Sequence, residues 1–596
     1  MTHRLRDSRR LLRLSLLSLG LGAVMAPISQ FLLWLIEWIT GVAFFGAPGT
    51  LPTTPVGHSL GLAVVLVPAA GGIIIGFMAR YGSPAIRGHG IPEAMEQVLE
   101  NSSRIPARIT WLKPLSAAIS IGTGGPFGAE GPIIATGGAG GSLIGQLLPS
   151  SPSDRKTLLA AGAAAGMAAT FGSPLSAILL AVELLLFEFK ARSLVPVTLA
   201  VCAAAAIRAV WLGTTPVFEM AAPLSAPSIH AFFALLLIAA IMGLFAFLIN
   251  KAVYLVEEGF EKLPIHWMWW PALGGLLVGF VGYLEPHTLG VGYDNILTNL
   301  NAALPAAAIL LLCTLKFVSW SIALGSGTSG GTLAPLMTIG SGLGLLAGVL
   351  LQPLVPDLNI HLAALVGMAC IFGGASQTLL ASAVFAYETT GQANALFPLL
   401  AACAVTLLVV RALGKTSIMT EKIARRGISV PAEYGADVFE HTTVGKVMEK
   451  NVTTVPGSMP LDEFARCVAG NDPAFAKRQA YPVVNEAGQL AGIITRGDLV
   501  RSSPSPTPLM TVQDAATSSL IVTHPGETLD VAIGKLLSND IGRLPVVDPG
   551  DPTRLVGFLS RASILSARWK LIQEEGGGKA EERWKPWSRR PENSAA

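Results

Sequence analysis

The sequence predicts an all-α polytopic membrane domain made of two related halves with broken helices, followed by a soluble α/β domain pair. Three observations lead there. Long uncharged apolar runs such as "HSLGLAVVLVPAAGGIIIGFMA" and "IHAFFALLLIAAIMGLFAFLI" fill the chain from about Leu11 to Leu413, with the length a bilayer-spanning helix needs. Charge returns beyond Lys415, and the apolar runs shorten. Blocks of the apolar part recur, in the same order, about 200 residues downstream. The 596-residue chain is 51% apolar and 13% charged, against about 25% charged in soluble domains.

Residues 1–13, "MTHRLRDSRRLLR", carry five Arg against one Asp, which predicts a cytoplasmic start. Read instead as the basic end of a signal peptide, the segment lacks a small-residue cleavage site, and the apolar run continues to about Phe45. The membrane domain, 14–428, divides into halves at about 14–213 and 228–414. "GTGGPFGAEGPIIATGGAGGSLIG" from Gly122 aligns with "GSGTSGGTLAPLMTIGSGLGLLAG" from Gly325, "AAGMAATFG" with "LVGMACIFG", and "GHGIPEAM" from Gly88 with "GVGYDNIL" from Gly290. Duplicated halves are the pattern of transporters whose interrupted helices meet near mid-membrane.

The breaks "GHGIP", "GAEGP" and "GTLAP" each precede a helix-forming run. Non-helical backbone at membrane depth survives only when buried in protein or lining a wet cavity. A Pro in the first helical turn presets the geometry, and the free amides there carry partial positive charge. Several such ends aimed at one point hold an anion without any full positive charge. A cation path would instead show carboxylate clusters or helix C-terminal carbonyls. For "GGAGGSLIG" and "AAGAAAGMAA", close helix packing through small residues is the better reading.

Few carboxylates lie inside the apolar segments, Glu130, Glu183 and Glu388 among them. Glu183 and Glu388 follow the matching "FG" landmarks of the two halves and read as ligands of backbone donors on neighbouring helices. Glu130 starts a helix, where an ionised carboxylate occupies the place an anion wants. One side chain there couples pH, anion occupancy and passage. Cys202, Cys313, Cys370, Cys403 and Cys467 are isolated and odd in number, so neither a disulfide framework nor a metal site is expected.

Beyond a linker at 429–446, "VMEKNVTTVPGSMPLDEFARCVA" with "AYPVVNEAGQLAGIITRGDLV", and "DAATSSLIVTHPGETLDVAIGKLLSNDIGR" with "LPVVDPGDPTRLVGFLSRASIL", repeat one plan. Each reads as a short strand, an amphipathic helix, two β-branched strands around a turn, and a helix. "RSSPSPTP" joins them, and 568–596, charged and poor in aliphatics, is expected to be disordered.

The ordered motifs "GHGIP", "GAEGP" and "GGTLAP" resemble those of the CLC family of chloride channels and chloride/proton exchangers, over about 11–428. The resemblance implies an inverted-repeat helical domain, a homodimer with one pore per subunit, and chloride or another small monovalent anion as cargo. It makes Glu130 the gating glutamate and the amides of Gly90, Ile91, Thr332 and Leu333 anion ligands. The family's anion-touching serine is His89 here, and Met419 falls where its tyrosine is expected. An imidazole N–H replaces one donor, and a thioether donates nothing. Ala129 replaces the arginine of the glutamate motif. Leu184 stands where exchangers carry their internal proton acceptor. Passive, channel-like flow is therefore expected, with exchange as the alternative and a divalent-cation transporter as a remote one. Bicarbonate, nitrate and fluoride stay open as cargo.

The soluble repeats resemble a tandem pair of CBS domains, at 447–502 and 512–567. In that resemblance Thr495 and Asp498 are placed to bind the ribose of an adenine nucleotide, while Ser563 replaces the acid in the second unit. A nucleotide-free scaffold is the other reading. No resident cofactor, metal or nucleic acid is expected. With no HExxH element in the apolar half, neither is an enzyme. The expected location is a bilayer, the inner (plasma) membrane if the source is bacterial, with the N-terminus and CBS pair cytoplasmic.

Overall fold

The computed structural model describes residues 2–47, 54–428, 430–431, 439, 442–470, 475, 478–502 and 510–575. It separates into two compact units, Met1–Val430 and Pro431–Ala596.

In the first unit the helices fall into two sets of eight. The first set is α1 (Thr2–Phe45), α2 (Leu66–Phe77), α3 (Ile91–Glu100), α4 (Ile109–Gly122), α5 (Glu130–Leu147), α6 (Pro152–Phe171), α7 (Pro174–Ala181) and α8 (Ala191–Leu212). The second is α9 (Ile229–Glu261), α10 (Trp270–Leu284), α11 (Tyr293–Leu300), α12 (Ala306–Gly325), α13 (Leu333–Leu351), α14 (Ile360–Ser376), α15 (Leu379–Thr390) and α16 (Leu396–Leu413). In both sets the two shortest members stand at the third and seventh places. A short helix, α17 (Glu421–Arg425), follows. Eight of the described helical stretches are long and apolar enough to cross a bilayer.

Helix α1 begins at Thr2, so the basic start is its first turns rather than a separate segment. Arg10 there pairs with Asp154 at 2.7 Å, and Arg13 donates to the Pro149 carbonyl at 2.7 Å, fastening α1 to the α5–α6 turn. Small residues let the paired helices touch backbone to backbone. A Cβ on Gly137 of α5 would strike the Gly162 carbonyl of α6, and one on Gly162 would strike that of Gly137. Gly340 and Gly367 repeat the arrangement between α13 and α14. Without a hydrophobic force between helices in lipid, such close approach supplies the packing energy. The described cysteines are free; Cys313, Cys370 and Cys403 are buried, while Cys202 is exposed.

The two halves also cap each other. Both oxygens of Glu183 accept from the second and third amides of α15, Leu380 and Ala381, at 3.0 Å each. Both oxygens of Glu388, on α15, accept from the second and third amides of α7, Leu175 and Ser176, at 3.0 and 2.8 Å. Neither helix has a side-chain cap from its own preceding residue. The carboxylates therefore satisfy helix amides that would otherwise have no partner, and the exchange between the halves is reciprocal.

In the second unit β1 (Val455–Pro456) runs parallel to β2 (Ala480–Val484), which pairs antiparallel with β3 (Leu490–Thr495). Helices α19 (Leu461–Ala469) and α20 (Arg496–Ser502) complete this lobe, after α18 (Val444–Val447). The second lobe follows α21 (Val512–Ala515). It holds α22 (Leu529–Ser538), β4 (Arg543–Asp548) antiparallel to β5 (Asp551–Ser560), and α23 (Arg561–Glu575). Its leading strand is reduced to a single parallel bridge, Thr523 to Val546.

The lobes exchange their leaders. Phe439 and Val444, ahead of the first lobe, sit in the core of the second, and the Val444 amide bonds to Glu527 O at 2.8 Å. Val512, ahead of the second lobe, sits in the core of the first. Boundaries drawn along the chain thus differ from the packed lobes, because each sheet is finished by sequence preceding its neighbour. Part of the 429–446 linker, the Ser-Pro joint from 503 to 509, and the tail from 576 lie outside the described residues. Residues 568–575 continue α23 instead of starting the tail.

Candidate functional site

Three of the predicted breaks are brought together. The amide of Gly128 bonds to Gly331 O at 3.1 Å and that of Gly331 to Gly128 O at 2.9 Å, joining the loops that start α5 and α13. The amide of Gly88 bonds to Thr328 O at 3.3 Å and that of Gly330 to Gly88 O at 3.4 Å, adding the loop that starts α3. Gly90, at φ +93°, leaves a Cβ position 2.7 Å from the Gly131 carbonyl. A Cβ on Gly131 would in turn strike His89 O. Only glycine permits these crossings. They bring the amide-bearing starts of α3, α5 and α13 to one place.

The predicted residues occupy that place in different ways. His89 precedes the N-cap of α3 and is buried, and its Nδ1 has no partner. Glu130 is the first residue of α5, fully buried, with one oxygen, Oε2, unpartnered. The carboxyl folds over Gly128, where a side chain would collide with it, and reaches toward the backbone of Ala334 in the first turn of α13. Thr332 is the N-cap of α13, with a buried and unpartnered Oγ1, and Leu333 follows it. Ile91 is the first residue of α3, where helical geometry leaves its amide without an intrahelical acceptor.

Two of the expected residues have their backbone amides engaged elsewhere. The Gly90 amide donates to Glu93 Oε2 at 2.7 Å, so the helix's own carboxylate takes the bond that an anion would need. The Met419 amide donates to Ser417 Oγ at 3.2 Å, leaving a buried thioether with no donor to offer. The neighbouring Ile418 carbonyl lies close to the His89 ring and accepts from the Tyr254 hydroxyl at 2.8 Å.

Sequence reasoning missed two features. The Tyr293 hydroxyl, from the first residue of α11, donates to Glu130 Oε1 at 3.2 Å. "GVGYD" aligns with "GHGIP" as a repeat block, but that alignment gives its tyrosine no role. Lys113 of α4 donates to the carbonyls of Ile86 and Gly88 at 2.8 and 2.7 Å, and Lys316 of α12 to those of Thr288 and Gly290 at 2.9 and 3.0 Å. Both are buried and hold the turns before α3 and α11. The shared pattern "LKPLS" and "LKFVS" at the same repeat offset was the available signal. Replacing Lys316 with Met is expected to free two buried carbonyls, at about 1.5–3 kcal/mol for each hydrogen bond to a charged group. A lowered unfolding midpoint of the purified protein is the check, and an unchanged one would remove Lys316 from the scaffold.

In the soluble unit, Asp498 Oδ2 accepts from the Thr495 amide and hydroxyl, each at 2.7 Å, and Arg501 pairs with the other oxygen. Burial works against ionisation, but the Thr495 and Arg501 bonds outweigh it and hold the carboxyl below the usual aspartate range. Ser560 and Ser563 form the same local box in the second lobe, with hydroxyls 2.6 Å apart.

The voltage gated chloride channel family model matches residues 71–411, and the CBS domain model matches 444–505 and 512–570. The chloride channel protein CLC-f of Arabidopsis thaliana is 26% identical over 600 residues, covering 86% of this chain and 74% of that one. An H(+)/Cl(-) exchange transporter ClcA of Vibrio cholerae serotype O1 is 28% identical over 377 residues, covering 61% and 80%. The solved structure of a slow cyanobacterial Cl-/H+ antiporter superposes with a TM-score of 0.63 at 21% identity, over 70% of this chain and 98% of that one. At that identity it speaks for the fold alone. With its helical duplication, interlocked helix starts and matched family model, the chain belongs to the voltage gated chloride channel (CLC) family of multi-pass, anion-transporting membrane proteins, and carries a CBS domain pair after its membrane unit.

Proposed function

We propose that this protein lets small monovalent anions, chloride first among them, pass downhill through a seat at the starts of α3, α5 and α13. Glu130 is the gate and His89 a ligand. The observation that carries the reading is a set of buried polar atoms without partners, one at each helix start: His89 Nδ1, Glu130 Oε2 and Thr332 Oγ1. Buried polar atoms are normally satisfied; a dehydrated anion among the first amides of Ile91, Thr332 and Leu333 would accept from the Thr332 hydroxyl and a His89 Nδ1–H, whereas the Glu130 oxygen, itself an acceptor, competes with the anion for those amides. An ionised Glu130 claims the same amides, so protonation or displacement of its carboxylate vacates the seat.

Uncoupled flow is supported by the interior. Leu184 is buried where an exchanger of this family needs a proton acceptor, and the adjacent Glu183 spends both oxygens on α15. Exchange is the second reading, favoured by the likeness to the Vibrio transporter. The deciding experiment uses reconstituted protein under a chloride gradient, with chloride and proton fluxes recorded together. Chloride movement without uphill proton movement is expected; a fixed proton-to-chloride ratio would refute passive flow.

The homodimeric state and the cytoplasmic side for the CBS pair belong to the same proposal. For the CBS pair a scaffold is the better-supported role, because Asp498 is already engaged by Thr495 and Arg501 and Ser563 offers no carboxylate.

A further inference from the structure

We propose that Tyr293 is a shared donor of this seat: its hydroxyl bonds to the ionised Glu130 while the gate is closed, and to the anion itself once the carboxylate has gone. The inference rests on the gate reading of Glu130. Its own support is geometric. The hydroxyl lies 3.2 Å from Glu130 Oε1, while the other carboxylate oxygen lies in protein without a partner. Moving the carboxylate away would leave the hydroxyl pointing at the vacated position, beside the first amides of α13. A phenol is a good donor to an anion and costs little ordering entropy, having two side-chain torsions.

The phenol is also held still. Its ring packs edge-on against Phe171 of α6 at 5.8 Å and against Phe218 at 5.9 Å between centroids. Its backbone follows the Gly290–Gly292 turn, which Lys316 fastens through the Gly290 carbonyl at 3.0 Å. That lysine lies behind the turn, and Tyr293 is the titratable side chain bonded to Glu130; Glu93, Lys113 and Lys422 act on His89 instead. This chain has no hydroxyl at Met419 or His89, so Tyr293 supplies a phenolic donor from the second half of the repeat.

The test is Tyr293→Phe, made in the wild-type chain and in Glu130→Ala. Phe keeps both ring contacts, so elution and unfolding midpoint serve as packing controls. In the Glu130→Ala background, chloride binding measured by calorimetry should weaken about tenfold, the size of one hydrogen bond to a charged group. In the wild-type background, losing the donor to the ionised carboxylate makes its protonation easier. The pH of half-maximal chloride flux should therefore rise. Unchanged chloride affinity together with an unchanged pH profile would overturn the role of Tyr293. If Glu130→Ala alone neither binds chloride more tightly than wild type nor loses the pH response, the gate reading fails first, and the two failures are told apart.

Discussion

Glu130→Gln should conduct at every pH at which the protein is folded, with the dependence on external pH abolished. The side chain is fully buried, its carboxyl folds over Gly128 and reaches toward the first turn of α13, and Tyr293 donates to it. Gln keeps the shape and still accepts from Tyr293 through its carbonyl oxygen, but it carries no charge with which to compete for the α13 amides. The seat is then open to anions regardless of proton concentration. Because a tenfold change needs only about 1.4 kcal/mol, and an unpaired buried charge is worth several kcal/mol, the gain in flux at neutral and alkaline pH should be at least about tenfold. Chloride efflux from liposomes across a pH series measures both effects. A Glu130→Gln protein with the wild-type pH curve would mean that the sensor lies elsewhere, with the His89 ring as the next group to test.

Much of how these helix starts meet is legible in the sequence. The Gly-Pro breaks marked where helices stop in the membrane, and the requirement that bare backbone be buried predicted that they would meet. They meet through Gly90, Gly128, Gly131 and Gly331. The roles of Glu183 and Glu388 were also readable, because an isolated membrane carboxylate needs donors and helix starts supply them. What failed to be legible depends on orientation. Nothing in "GHGIPEAM" says that Glu93 turns back to take the Gly90 amide, although a Glu three residues past an N-cap is a known capping pattern. Tyr293 sits far in sequence from Glu130, and a lone aromatic in an apolar run reads as core, which by its ring contacts it also is. The CBS leaders were assigned along the chain, since strand alternation does not reveal that Val444 and Val512 fill each other's lobe.

Glu183→Ala is expected to be the most destabilising carboxylate substitution in the membrane unit, and the reason also bears on transport. Its two oxygens hold the second and third amides of α15, at a helix start with no cap of its own. Removing them leaves the buried Ala381 donor and the partly buried Leu380 donor unsatisfied, at about 1–3 kcal/mol for a buried group and less for the other, so a loss of about 2–5 kcal/mol follows. Glu183→Gln retains one acceptor and should lie between Ala and wild type. Glu388→Ala should cost less, because the Leu175 end of its contact with α7 is exposed. Denaturant titration of the purified variants gives the order directly. The same variants separate a cap from a proton relay. A cap mutant loses stability, and whatever protein remains folded keeps the wild-type relation between chloride and proton flux. If Glu183→Gln were as stable as wild type but abolished proton movement that the wild type performs, Glu183 would be a relay in place of Leu184, and uncoupled flow would fall with the cap.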